Sequence, residues 1–242
     1  MADYDKDYSK ERYGALGGQK ILEEENMHYK DMLESLGAEE GDRILELGSN
    51  DALLSEYLSE WYEMHAADVE RNALTKAREE NRSEEQYQVD GHRLPFVEDS
   101  FDYVIMPRML HLDVVDEPTV IEEASRVAKE GMAFDTFSRV SGRMLYNPVM
   151  HKLNDRMPES SLSSKAEIQG SKSVEGWLEE YDESEIEMFS DFFIPFGAYK
   201  KSDNKKWVDF ANGVNEAFEI WGKSDIPDPN SVIYTSVNLG NL

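Results

Sequence analysis

Residues 43–51 read Arg-Ile-Leu-Glu-Leu-Gly-Ser-Asn-Asp, and no other stretch limits the possible folds of this chain as tightly. Residues 44–47 have the length and apolarity of a short buried strand. Gly48 lets the backbone turn sharply, and residues 52–61 have helical spacing. A strand, a glycine turn and a helix aim backbone N–H groups at a ligand beside the helix N-terminus.

The same rhythm repeats downstream. Residues 65–69 read as a second strand ending at Asp68, and residues 70–81 as a helix that is acidic at its start, as the helix dipole prefers. Residues 87–89 form a third strand, followed by Asp90-Gly91-His92, and residues 101–106 a strongly apolar fourth. Asp116 caps a helix that carries Pro118 in its first turn and runs to about residue 129. Gly131 then opens a fifth strand over 132–137. Strands alternating with helices at this spacing predict an α/β fold: a Rossmann-like, mostly parallel sheet covered by helices on both faces.

The flanks are less regular. Residues 1–18 hold Tyr4, Tyr8 and Tyr13 before Gly17-Gly18, which reads as a mobile aromatic segment with a hinge. Residues 19–36 are helical and Gly37 suits the position after the helix end, so 1–36 form an N-terminal helical cap. After residue 137 the rhythm breaks, and residues 138–185, with Asn147-Pro148, Met157-Pro158 and a serine cluster, read as a helical insertion or lid. Residues 186–193 resume as a strand and residues 231–239 are the last one. Between them residues 207–221 read as a helix, with Trp207, Phe210, Val214, Phe218 and Trp221 forming a core stripe. The expected organisation is one domain over 1–242.

Composition bounds the function. The 242 residues are 40% hydrophobic and contain no run long enough for a membrane span. The N-terminus is acidic and polar, unlike a secretory signal, and the chain has no cysteine, so a cytoplasmic location is expected. There are 51 acidic against 25 basic residues, a net charge of −26 spread over every segment. That surface repels itself at low salt, which points to a salt-rich cytoplasm, and it lacks the basic stripe a nucleic-acid partner needs. Five histidines without paired spacing and no cysteine argue against a metal site.

The spacing of acids gives the strongest functional reading. Glu46 and Gly48 end strand one, Asp68 ends strand two 20 residues after Gly48, and Asp90 follows strand three. All three carboxylates therefore stand at the carboxyl ends of adjacent parallel strands, where ligands of open α/β sheets bind. A carboxylate after strand two can accept two hydrogen bonds from a ribose diol, and a side chain after strand three can meet an adenine edge. Taken singly, Gly48 could simply serve a turn, Asp68 cap a helix and Asp90 sit in an Asp-Gly turn.

Five pieces together resemble the class I S-adenosylmethionine-dependent methyltransferases, in their small-molecule branch: Ile44-Leu45-Glu46-Leu47-Gly48, Ala67-Asp68-Val69, Asp90-Gly91-His92-Arg93-Leu94-Pro95-Phe96, Asp99-Ser100-Phe101-Asp102-Tyr103-Val104-Ile105, and Met109-Leu110-His111-Leu112. The resemblance covers about residues 42–137. It implies a seven-stranded sheet with an antiparallel last strand and S-adenosyl-L-methionine as cofactor. Glu46, Gly48 and Asn50 would lie at the methionine end, Asp68 and Val69 at the ribose, Asp90 and Gly91 at the adenine. Residues 107–112 lie near the transferable methyl group in that family, which implies acceptor-side roles for Arg108 and His111, and Tyr13 of the N-terminal segment could close over the sulfonium, whose positive charge favours an aromatic wall. Asn50 and Ala52 stand where the family usually has glycines.

The implied activity is methyl transfer to a small-molecule acceptor. One rival is a non-catalytic S-adenosylmethionine-binding regulator of the same fold, suggested by Asn50 and Ala52. A second is a nicotinamide-dependent oxidoreductase, but its Gly-x-Gly-x-x-Gly is absent.

Overall fold

The computed structural model describes residues 8–112, 114–137, 185–191, 200–218, 220–221 and 232–240. In chain order the elements are α1 (Tyr8–Tyr13), α2 (Leu16–Ser35), β1 (Arg43–Leu47), α3 (Leu53–Leu58), β2 (Glu63–Asp68), α4 (Arg71–Glu79), β3 (Glu85–Gln88), β4 (Phe101–Met106), α5 (Glu117–Val127), β5 (Ala128–Phe137), β6 (Ile186–Asp191), α6 (Lys205–Phe218), β7 (Ile220–Trp221) and β8 (Val232–Asn238).

The sheet order is β3-β2-β1-β4-β5-β8-β6-β7. β3, β2, β1, β4 and β5 run parallel, and β8 inserts antiparallel between β5 and β6. β7 adds a two-residue antiparallel edge to this seven-stranded plan. Chain order reverses between β1 and β4, which opens a crevice at their carboxyl ends.

Alternation along the central strands divides the core. Ile44, Tyr103, Ile105 and Ala133 face Ile21, Tyr29, Met32 and Leu33 of α2. Leu45, Leu47, Val104, Met106, Met132 and Phe134 face Val120, Ile121, Ala124 and Val127 of α5. Burial on both faces is why these strands read as nearly continuous apolar runs. Truncating a fully buried member such as Leu33 to Ala would cost about 2–5 kcal/mol.

α2 stops at a specific signal. Gly37 has φ 90°, and the N–H groups of Gly37 and Ala38 return to the carbonyls of Glu34 (3.0 Å) and Leu33 (2.9 Å), so the last turn is satisfied without a further helical residue.

Three expectations need correction. Gly17-Gly18 is not a hinge: α2 begins at Leu16 and both glycines are buried in its first turn. A Cβ on Gly18 would strike the Arg12 carbonyl and Tyr13 Cα, and Gly17 N–H donates to the Ser202 carbonyl at 2.9 Å. These glycines let α1 dock; residues 1–7 lie outside the described residues. The stripe on α6 is not core where its side chains are described. Trp207 and Phe210 are 38% and 58% exposed and stack on each other, while Val208, Ala211, Asn212 and Asn215 are buried. Both faces have helical spacing, and the smaller one packs inward. α6 also ends at Phe218, and residues 220–221 pair with β6 instead of continuing it. Finally, β5 starts at Ala128, before Gly131, because α5 passes straight into extended backbone there. The insertion read over residues 138–185 lies outside the described residues, apart from Glu185.

No helix among the described residues is long and apolar enough to cross a membrane.

Candidate active site

The loop after β1 turns back on β2. The N–H groups of Gly48 and Ser49 both donate to the Ala67 carbonyl, at 2.8 and 3.1 Å. Gly48 has φ 77°, and a Cβ there would stand 3.1–3.2 Å from three atoms of Met109, so this position excludes a side chain twice over. Asn50 and Ala52 also take the left-handed conformation, with φ 50° and 59°. They keep the backbone path a glycine would take. Asn tolerates it readily, whereas for Ala the strain is on the order of 1–2 kcal/mol.

Asp68 holds that loop in place. Its Oδ2 accepts the Asn50 N–H at 2.7 Å and its Oδ1 the Glu70 N–H at 2.8 Å. Burial pushes the carboxyl up, against the bonds from Glu70, Asn50 and Val69. Each carboxylate oxygen can accept a further bond, so capping the loop and holding a diol are compatible. Val69 beside it is 58% exposed, an apolar surface at the crevice mouth.

Asp90 and Gly91 follow β3. Asp90 Oδ1 accepts the His92 N–H (3.0 Å) and meets His92 Nδ1 (2.6 Å), while His92 Nε2 meets the Asp116 N–H at 2.9 Å. Because Nε2 must accept, Nδ1 carries the proton, and the ring ties the β3 loop to the start of α5. The His92 backbone and ring bonds hold the Asp90 carboxyl below its ordinary range. A Cβ on Gly91 would stand 2.8 Å from Met109 Cε, so Met109 spans the gap between the two glycines.

Glu46 is buried, and its Oε2 accepts both the N–H (3.0 Å) and the hydroxyl of Ser55 on α3. Burial pushes its carboxyl up to about 7, against the Ser55 bonds.

The residues expected on the acceptor side form a second cluster, across β4 and β5. Arg108 (φ 50°) follows β4; its guanidinium pairs with Glu25 of α2 and lies 5.5 Å from the centre of the Tyr13 ring. The Tyr13 hydroxyl donates to Glu25 at 3.2 Å, and Arg12 reaches Glu25 at 3.3 Å. Burial alone would raise the Glu25 carboxyl, but Arg108 and Arg12 outweigh it and hold it low. Arg108 is thus engaged by a protein carboxylate in a pair that an acceptor carboxylate would have to displace. His111, half-buried, lies on the same turn.

Sequence reasoning missed four residues. Asp51 is a buried hub that receives Ser9 of α1, Lys76 of α4 (2.7 Å) and Arg82 (2.9 Å). Glu25, Tyr29 and Asp135 complete the second cluster: Asp135 Oδ1 accepts the Tyr29 hydroxyl and the Arg108 N–H, each at 2.6 Å. No spacing announces these contacts.

The residues present fit an adenosyl cofactor with a methionine tail. Acids end β1 and β2 and follow β3, Gly48 keeps a close backbone approach open, and the buried Ser49 hydroxyl in the same loop has no hydrogen-bond partner. Among the described residues no group of three or more acidic or histidine side chains is placed to hold a metal ion.

Comparison with known proteins agrees with this geometry. The family described as "Methyltransferase domain" matches residues 44–131. No curated protein sequence matches the chain. Among solved structures, an S-adenosylmethionine-dependent methyltransferase from Thermotoga maritima superposes with a TM-score of 0.53 at 13% identity, covering 95% of this chain and 98% of its own. Phosphoethanolamine N-methyltransferase 2 of Haemonchus contortus, in complex with phosphomonomethylethanolamine and S-adenosylhomocysteine, gives 0.55 at 15%, covering 88% and 52%. Magnesium protoporphyrin IX methyltransferase of Synechocystis PCC 6803, with bound S-adenosylhomocysteine, gives 0.52 at 11%, covering 92% and 84%. This sheet order and crevice, with the domain match over β1 to β5, give the chain the fold of the S-adenosylmethionine-dependent methyltransferases.

Proposed function

We propose that the protein transfers a methyl group from S-adenosylmethionine to a small-molecule acceptor. The observation that carries this reading is the Asp68–Asn50 bond. It draws the β1 loop onto β2, so that Glu46, Asp68 and Asp90 border one crevice. In this reading Glu46, Gly48 and Asn50 hold the methionine end, Asp68 and Val69 the ribose, and Asp90 and Gly91 the adenine. The cofactor, when bound, supplies a methyl group activated on a sulfonium. The protein supplies alignment and a dry pocket, which is most of what an in-line displacement requires. Tyr13, Arg108 and His111 stand on the acceptor side, where His111 is a candidate to take a proton near neutral pH.

The regulatory rival drew on Asn50 and Ala52. Both hold positive φ, the conformation glycine would supply, so this departure from the family does not favour it. The charge of −26 supports an acceptor other than nucleic acid. The test is a metabolite pool incubated with the protein and methyl-labelled cofactor. A labelled small molecule is expected. If S-adenosylhomocysteine binds and no label moves, the catalytic reading fails and the regulatory one stands.

A further inference from the structure

Asp135 carries a buried carboxylate oxygen with no hydrogen-bond partner among the described residues. Its side chain is 2% exposed, and Oδ1 is saturated by two 2.6 Å donors, the Tyr29 hydroxyl and the Arg108 N–H. The unpaired oxygen is Oδ2. A buried carboxylate oxygen left unpaired is costly, so it calls for a use. Its place in the sheet suggests one. Ala133 is level with Ile105 and Glu46 across β4 and β1, and Asp135 lies on the same face, two residues nearer the crevice.

We infer that Asp135 is the proton acceptor of the transfer site, and that the methyl acceptor is an amine arriving as its ammonium ion. This rests on the methyltransfer reading above and names its substrate class. Oδ2 takes one N–H proton from the ammonium. The freed nitrogen lone pair forms the N–C bond as the methyl C–S bond breaks, and the bonding pair stays on sulfur. The product leaves as a methylated ammonium, and Asp135 passes its proton to solvent.

The surroundings favour a cation. Tyr29 on α2 and Tyr234, the register partner of Asp135 on β8, set their rings edge to face at 6.1 Å, and the His28 ring lies tilted against Tyr234 at 4.7 Å. Aromatic faces beside a carboxylate suit an ammonium and disfavour an anion. The nearby guanidiniums of Arg108 and Arg12 are both turned on Glu25. The charged and titratable groups facing Asp135 are therefore Tyr29, Glu25 and His28 from α2, Arg108 after β4 and Tyr234 from β8, with Arg12 and Tyr13 of α1 one contact away. Burial pushes the Asp135 carboxyl up, against the bonds from Tyr29 and Arg108. A base nearer neutrality is the better match to a proton leaving nitrogen.

The test has three readings on the full chain. Calorimetry first establishes that wild type and Asp135→Asn bind S-adenosylhomocysteine alike; failure in wild type would strike the methyltransfer reading, not this one. With binding intact, label from the cofactor is expected on amine nitrogen in a metabolite pool, and Asp135→Asn is expected to transfer it at least about 100-fold more slowly. Label found only on esters or ethers, or no labelled amine at all, overturns the proposal. Independently of turnover, the carbon-13 carboxyl signal of Asp135 in the S-adenosylhomocysteine complex should titrate above the ordinary aspartate range. In Tyr29→Phe, which removes a donor to the anion, both that midpoint and the acid limb of the rate profile should move to higher pH. A signal that titrates as an ordinary aspartate, or limbs unmoved in Tyr29→Phe, would assign Asp135 a structural role only.

Discussion

The two sides of the crevice are built on different principles. On the proposed cofactor side, loops after β1, β2 and β3 are held by backbone N–H groups: Gly48 and Ser49 on Ala67, Asn50 on Asp68, His92 on Asp90. On the proposed acceptor side, side chains far apart in sequence converge: Tyr29 on Asp135 across 106 residues, and Glu25 on Arg108. Backbone-held loops constrain conformation and leave side chains variable. A buried side-chain network constrains identities, because each member lost strands a partner. The cofactor side should therefore fail through geometry and the acceptor side through charge.

Asp51 gives the largest expected effect, because there the cofactor loop depends on a buried charge after all. Asp51→Ala leaves Ser9, Lys76 and Arg82 without their shared buried carboxylate, Arg82 keeping only the more exposed Glu56 and Glu80, and should cost about 3–5 kcal/mol in denaturant unfolding. Asp51→Asn should recover part of it by keeping the Ser9 contact. A loss under about 1 kcal/mol in Asp51→Ala would show that the loop stands on its backbone bonds alone.

Next in size is the pH dependence from Glu46. Its folded carboxyl is raised from 4.5 to about 7, so the folded state binds more protons than the unfolded one between those values. The stability this contributes is fully present below about pH 4.5 and is lost as pH rises through 7, a change on the order of 3 kcal/mol. Glu46→Gln should flatten the slope between pH 4.5 and 7. An unchanged slope would place its origin elsewhere, with Asp135 the first candidate, since burial raises it as well.

Salt should have the smallest effect, and its sign carries the information. Exposed pairs such as Lys20–Glu23 and Lys205–Asp209 are worth about 0–1 kcal/mol each and weaken in salt. The net charge of −26 acts the other way, because screening relieves self-repulsion. A melting series from dilute buffer to molar KCl should rise. A falling series would mean that local pairs outweigh the global charge and would remove the case for a salt-rich cytoplasm.

This division also explains what could be read from the sequence. The strands from β1 to β5 were legible because burial on both faces leaves continuous apolar runs, and the three acids because they sit at fixed offsets from strand ends. Asn50 and Ala52 were legible as stand-ins for glycine, and both take positive φ. The Gly17-Gly18 pair misled, because a glycine pair marks close packing and flexibility alike; only the approach of Arg12 and Tyr13 tells them apart. The α6 stripe misled because helical periodicity shows that a face exists, not which face turns inward. Asp51, Glu25 and Asp135 were invisible because their partners lie on other elements, at separations no local pattern encodes.

The most direct measurement is calorimetric titration of S-adenosylhomocysteine into wild type and Asp68→Ala. Wild type should bind one equivalent. The variant should stay folded and lose about 1–3 kcal/mol of affinity, from the ribose contact and from release of the Asn50 N–H that orders the loop. No binding to wild type, or equal binding by a folded Asp68→Ala, would contradict the assignment of this crevice to the cofactor.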